Sequence, residues 1–153
     1  MEIQQSIVVG QGPQAVWEFL WDVPRLAACI PGCKSVEPVD PPRQYRAVME
    51  ERLGPFQVRF DLDLKVLEVQ EGQRISVTAE GKDARLGSPM KVDLKLELRP
   101  AGEGTELAID SDVQVFGKLA SLGHGMIRRK GEQIIGEFAK ALTAQLGGQE
   151  VQA

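Results

Sequence analysis

The segment GKLASLGHGMIRRKGEQIIGEFAKALTAQ, Gly117 to Gln145, decides how the rest of the chain is read. Leu119, Leu122, Met126, Ile127, Ile134, Ile135, Phe138, Leu142 and, just past its end, Leu146 recur at steps of three and four. That spacing sets them on one face of an α-helix. Arg128, Arg129, Lys130, Glu132, Glu137 and Lys140 take the opposite face. About 28 residues of helix would run roughly 40 Å, and so long an apolar stripe needs an extended partner surface. Gly123, Gly125, Gly131 and Gly136 fall inside the segment. Each costs about 0.5–1 kcal/mol relative to alanine in a helix interior. They either permit close packing or a kink, or leave room beside the helix for a ligand.

The partner surface is written upstream. Phe56, Val58, Phe60, Leu62, Leu64 and Val66 alternate with Gln57, Arg59, Asp61, Asp63 and Lys65. Period two with one apolar side predicts an antiparallel strand that faces a core on one side and water on the other. After the turn Gln70-Glu71-Gly72-Gln73, the inward row continues in Ile75, Val77 and Ala79. Gly81 to Pro89 reads as a loop. Met90, Val92, Leu94, Leu96 and Leu98 form the next inward row, and Leu107, Ile109, Ser111, Val113 and Val115 the last. Earlier strands are predicted over Glu2 to Val9, Lys34 to Val39 and Gln44 to Glu51. Between the first two, Pro13 opens a short apolar helix through Trp17, Leu20 and Trp21, and Pro24 opens a second through Leu26. Cys29-Ile30-Pro31-Gly32-Cys33 is a tight turn. Strands that run as meanders without crossover helices make the fold α+β. The expected architecture is a curved antiparallel sheet of about seven strands wrapped around one long C-terminal helix. It would form a single domain over residues 1–147, with a polar tail over 148–153.

Composition narrows the function. Eighteen basic and 22 acidic residues give a net charge of −4, mixed along the chain, with no basic stripe suited to nucleic acid. The start, Met1-Glu2-Ile3-Gln4-Gln5, has the form of no signal peptide, and no apolar run reaches the roughly 18 residues that span a bilayer. A cytoplasmic protein is expected. Cys29 and Cys33 cannot complete a four-ligand zinc site with one distant histidine, so free buried thiols are expected ahead of a redox or metal role. His124 is read as a surface or capping imidazole ahead of a ligand or proton carrier. The inward rows carry almost no ionisable group, with Ser111 their main polar residue. A nucleophile, base or metal cluster within mutual reach is not visible. An enzyme would have to draw on His124, Ser111 or Asp83.

The chain resembles the CoxG family, the G subunit of carbon monoxide dehydrogenase, within the START/SRPBCC helix-grip superfamily. The residues that carry the likeness are Val16-Trp17, Leu20, Asp22, Pro24 and Leu26, then Cys29-Ile30-Pro31-Gly32-Cys33 and Gly54-Pro55. They continue through Gly81, Gly87, Gly104-Thr105-Glu106-Leu107, Gly117-Lys118-Leu119-Ala120 and Leu122-Gly123. The resemblance implies a hydrophobic-ligand module that works with molybdenum hydroxylase subunits. It would bind or deliver a respiratory quinone or similar lipid, without a covalently bound cofactor, and make peripheral contact with the inner face of the membrane. Some members carry a long C-terminal extension that mediates membrane association; the short polar end here favours a shuttle or peripheral contact. Arg128, Arg129 and Lys130 are read as a solvated face ahead of a lipid-binding patch. The expected walls of the cavity are Trp17, Leu20, Trp21, Leu26, Phe56, Phe60, Met90, Phe116, Leu119, Leu122, Gly123, Met126 and Ile127. The Cys29 to Cys33 turn would fix one rim of its entrance. A cyclase- or dehydratase-type enzyme using the same cavity, and a ligand-free adaptor for the hydroxylase, are the alternatives.

Overall fold

The computed structural model describes residues 1–147; the polar tail expected over 148–153 lies outside the described residues. Strand β1 (Glu2–Val9) leads into helices α1 (Pro13–Trp21) and α2 (Val23–Ala28). Six strands follow: β2 (Cys33–Asp40), β3 (Gln44–Leu53), β4 (Phe56–Gln70), β5 (Arg74–Asp83), β6 (Pro89–Ala101) and β7 (Gly104–Val115). Helix α3 (His124–Leu146) is the last element among the described residues. The sheet is antiparallel throughout, in the order β1-β7-β6-β5-β4-β3-β2. Consecutive strands β2 to β7 are therefore neighbours, and β1 closes on β7, as a meander requires. The α+β architecture and the order of its elements match the sequence reading.

Alternation governs β4 as expected. Val58, Phe60 and Leu62 are buried, while Gln57, Arg59 and Asp61 between them are exposed. Two apolar clusters result. One, beneath α1 and the second half of α3, gathers Ile7, Val9, Val16, Phe19, Leu107 and Leu142. The other, at the opposite end of the sheet, gathers Leu53, Val58, Phe60, Leu62 and Leu119. Full burial of a side chain such as Leu107 or Leu142 contributes about 1.5–3 kcal/mol.

Two boundaries differ from the sequence reading. The terminal helix does not begin at Gly117. Gly117–Leu122 is a 3-10 segment, and α3 starts at His124, giving 23 residues. Gly117 and Gly123 have φ of +67° and +87°, outside the right-handed helical region, so they bracket the short segment instead of lying inside one rod. What selects this path is nonlocal: Leu119 is fully buried in the second cluster, and its backbone N–H donates to Ser88 Oγ at 3.2 Å. The second difference is at Gly81 to Pro89. Strand β5 runs on to Asp83, whose side chain is 1% exposed. Burial of a carboxylate in a stretch rich in turn residues is possible because three backbone N–H groups donate to it, from Arg59 (2.8 Å), Arg85 (3.0 Å) and Leu86 (2.5 Å).

Candidate functional site

The concave side of the sheet is not filled evenly. Leu62, Ile75, Leu96 and Ile109 are buried. Leu64, Val66, Val77, Ala79, Val92, Leu94 and Val113 lie on the same face by alternation, yet solvent reaches all of them in part. Leu64, Ala79, Val92 and Val113 are successive partners across four strands, so this is one continuous apolar band. On the helix side Ile134, Ile135 and Phe138 are likewise half-buried. Side chains clamped between a sheet and a helix that seats on it lose nearly all their exposure. Here the backbone of α3 comes closest to β1 and, less so, to β3, near the margins of the sheet. Val66, Val77, Leu94, Ile135 and Phe138 still pack against the first cluster and Leu64 against the second, so what space is left between sheet and helix centres on Ala79, Val92 and Val113.

The sequence-predicted wall residues fall into two groups, one at each end of that gap. Trp17 and Leu20 are buried in the first cluster, with Trp21 and Leu26 half-buried against it. The indoles of Trp17 and Trp21 meet edge to face, 6.1 Å between centroids at 68°. Phe60 and Leu119 are buried in the second cluster, with Phe56, Met90 and Leu122 half-buried beside it. Ile127 is buried, and Met126 lies against Gly54. Two residues do not fit a wall. Phe116 is 50% exposed, and Gly123 is exposed with open space where a Cβ would stand, because the chain turns outward on both sides of the 3-10 segment. The residues of the partly open band, from Leu64 to Val113, are legible as an inward row but carry no sequence mark of a ligand surface.

The helix glycines divide as well. A methyl group at Gly131 would run into Ile3 Cδ1, so this glycine brings α3 onto β1, while Gly136 has open space around it. In the Cys29 to Cys33 turn, Cys29 sits in the first cluster, Ile30 and Pro31 are half-buried, and Cys33 pairs with Met49. Gly32 is pressed against β3. Its carbonyl accepts from Glu50 N–H at 2.8 Å, and a methyl group at its Cα would lie 2.5 Å from the Glu50 carbonyl oxygen. The turn thus buttresses β3.

The inward face holds more polar groups than its alternation suggested, and four of them, Asp83, Glu51, Ser111 and Thr105, are matched within the protein. Asp83 lies opposite Phe60 on the inward side and is held by the three amides. Glu51, opposite Val58, reaches Lys130 of α3 at 3.3 Å, with side chains only 24% and 19% exposed. Ser111 Oγ donates to the Ile3 carbonyl at 3.0 Å, and Thr105 Oγ1 to the Gln11 carbonyl at 2.7 Å. His124 is exposed at the start of α3. His124, Ser111 and Asp83, the groups an enzyme would need, are therefore each engaged elsewhere or turned outward. Both cysteines are free thiols; burial raises the pKa of each, offset in part at Cys29 by the nearby Arg25 cation. Among the described residues no three His, Cys, Asp or Glu side chains are placed to hold a metal ion. The cationic trio of α3 is no single patch: Arg128 donates to the Glu2 carbonyl at 2.9 Å and Lys130 pairs with Glu51.

Clefts open at both ends of the gap. One of about 620 Å³ lies between α1 and the far end of the β4–β5 hairpin, lined by Trp17, Trp21, Arg43, Val66, Leu67 and Val69 among others. Across it Trp17 Nε1–H donates to Glu71 Oε1 at 3.1 Å. The other, about 350 Å³, lies between Leu53-Gly54 and α3, beside Met126, Arg129 and Lys130.

This architecture is shared. A conserved protein from Geobacillus kaustophilus superimposes with a TM-score of 0.87 at 22% identity, covering 99% of each chain. A START superfamily protein from Mycobacterium smegmatis gives 0.74 at 17% identity, over 95% of this chain and 96% of that one. The Zhui aromatase/cyclase from Streptomyces sp. R1128 gives 0.65 at 16% identity, over 96% and 92%. At these identities the likeness establishes the START-like, helix-grip fold. No curated protein sequence matches this one. No helix among the described residues is long and apolar enough to cross a membrane. Residues 6–147 match the family model for CoxG, the G subunit of carbon monoxide dehydrogenase, which takes in both clusters, the buttressing turn and α3, and the chain belongs to that family.

Proposed function

We propose that this chain is a hydrophobic-ligand-binding accessory protein of a molybdenum hydroxylase of the carbon monoxide dehydrogenase type. It takes a respiratory quinone or similar lipid between α3 and the concave sheet and hands it between membrane and enzyme. The observation that carries the reading is the apolar band Leu64, Val66, Val77, Ala79, Val92, Leu94 and Val113, every member of which solvent still reaches in part, with Ala79, Val92 and Val113 at its middle belonging to neither core cluster. Apolar surface left open in this way stabilises a guest by about 25 cal/mol for each Å² it removes from water. The family membership supports the choice of partner, and the engagement of Ser111 and Asp83 within the protein supports binding over chemistry.

The test is to fill the gap. Ala79 lies in the middle of the band, so Ala79→Phe places a ring in the space the guest would occupy. Native mass spectrometry with lipid extraction, on protein purified from its native cells and after incubation with decylubiquinone, reads the cargo. Uptake of one quinone or lipid by the wild type, lost in a stably folded Ala79→Phe, is the expected result. A solid core would instead be overpacked, with a stability loss of about 1–3 kcal/mol and no uptake by either form; that outcome leaves only a ligand-free adaptor.

A further inference from the structure

We infer that the cleft between α1 and the β4–β5 hairpin is the mouth of the gap, and that an amphiphile enters it tail first, leaving an acceptor-bearing head group beside Arg43. The inference rests on the reading that the gap takes a hydrophobic guest, and adds the route, the orientation and the head-group chemistry.

Continuity comes first. Trp17 and Val66 line the cleft and also pack against the first cluster, and Val66 pairs with Val77 of the apolar band. A path from the cleft to the gap therefore runs over apolar side chains. The rim is apolar too. Strand β4 slips register between Val66 and Glu68, which leaves Leu67 as an extra, unpaired residue. Leu67 and Val69 are 64% and 43% exposed, and both line the cleft. Apolar side chains held in solvent at the edge of an opening provide a first contact for an oily tail.

The orientation follows from where polar groups are available. Inside, the hydroxyls of Ser111 and Thr105 and the carboxylates of Asp83 and Glu51 already have protein partners. A head group driven in among these four would lose its water and find them already engaged, weakening binding roughly five- to a hundredfold per unsatisfied group. At the mouth the balance is reversed. Among the described residues the Arg43 guanidinium pairs with no carboxylate. Its N–H groups can donate to a carbonyl, ester or carboxylate oxygen. The Glu71 carboxylate already accepts from the Trp17 indole N–H.

The two tryptophans of the chain both line this cleft, so their fluorescence reports on it alone. The full chain is titrated with stearate carrying a nitroxide either near its carboxyl end or near its methyl end, with native mass spectrometry to confirm one-to-one binding. The expected result is that the head-proximal nitroxide quenches at least twofold more strongly at saturation. Equal or reversed quenching by bound probe overturns this inference and leaves the underlying one intact, whereas no saturable binding of either probe overturns the underlying reading. A second comparison uses Arg43→Gln and, at the opposite cleft, Arg129→Gln. Arg43→Gln should weaken probe binding about fivefold while Arg129→Gln leaves it within twofold; the converse would place the mouth at the wrong end.

Discussion

Replacing Gly32 by alanine separates two roles that a glycine in a tight turn can have. Its φ of +79° is unfavourable for any residue with a Cβ, at about 1–2 kcal/mol. Its Cα also faces β3 so closely that the added methyl would sit 2.5 Å from the Glu50 carbonyl oxygen and 2.8 Å from Glu51 Oε1. Backbone cannot rotate away as a side chain can, so the turn must lift. That strains the Glu50 N–H to Gly32 carbonyl bond and displaces Glu51 from Lys130. The hydrogen bond is worth about 1 kcal/mol, and overpacking adds about 1–3. The total for Gly32→Ala is about 3–6 kcal/mol. Gly72→Ala is the control: φ is +73° in the β4–β5 turn, but nothing lies within 4 Å of the added methyl. It should cost only the conformational part. With an m-value of about 2 kcal/mol per molar in urea, Gly32→Ala should unfold roughly 1–2 M earlier than Gly72→Ala, with m unchanged. Adding Glu51→Ala to Gly32→Ala should recover part of the loss, because the two changes share one contact. Equal midpoints for the two glycine variants would refute the buttress argument.

Three further outcomes rest on local geometry. Gly136→Ala should stabilise the protein by about 0.5–1 kcal/mol, raising its melting temperature by a few degrees, since the site is helical and open; a lowered melting temperature would show a contact there. Asp83→Ala should cost about 3–5 kcal/mol and speed amide hydrogen exchange at Arg59, Arg85 and Leu86, with Asp83→Asn intermediate; unchanged exchange at these amides would sink the assignment. Burial raises the pKa of Cys29 and Cys33, so the folded state favours their neutral thiols. Their contribution to stability is complete below about pH 8.5, the unfolded value, and is lost as the pH rises above it. At pH 8 iodoacetamide should modify Cys29 more slowly than Cys33, and both more slowly than in urea; a Cys29 that reacts at its unfolded rate contradicts its burial.

Features that depend on near neighbours along the chain were readable before any coordinates. Period two in Phe56 to Val66 and in Met90 to Leu98 set strands and their inward faces, because alternate side chains leave a pleated backbone on opposite sides. The three-four spacing from Met126 to Leu146 set α3, and Pro13, Pro24 and Pro31-Gly32 set the breaks between elements. The family was legible too, through the Cys29 to Cys33 turn and the ordered motifs on either side of it. Features that depend on distant residues were fixed by the folded packing. The start of α3 depends on Leu119 finding the second cluster and Ser88. Asp83 became an interior group because amides 24 residues upstream and two and three downstream converge on it. The wall residues divided into two end clusters, leaving Ala79, Val92 and Val113 between them partly open to solvent. The physical reason is the same in each case. Periodicity tells which way a side chain points, whereas how far away the opposing surface lies is set by contacts between residues distant in sequence.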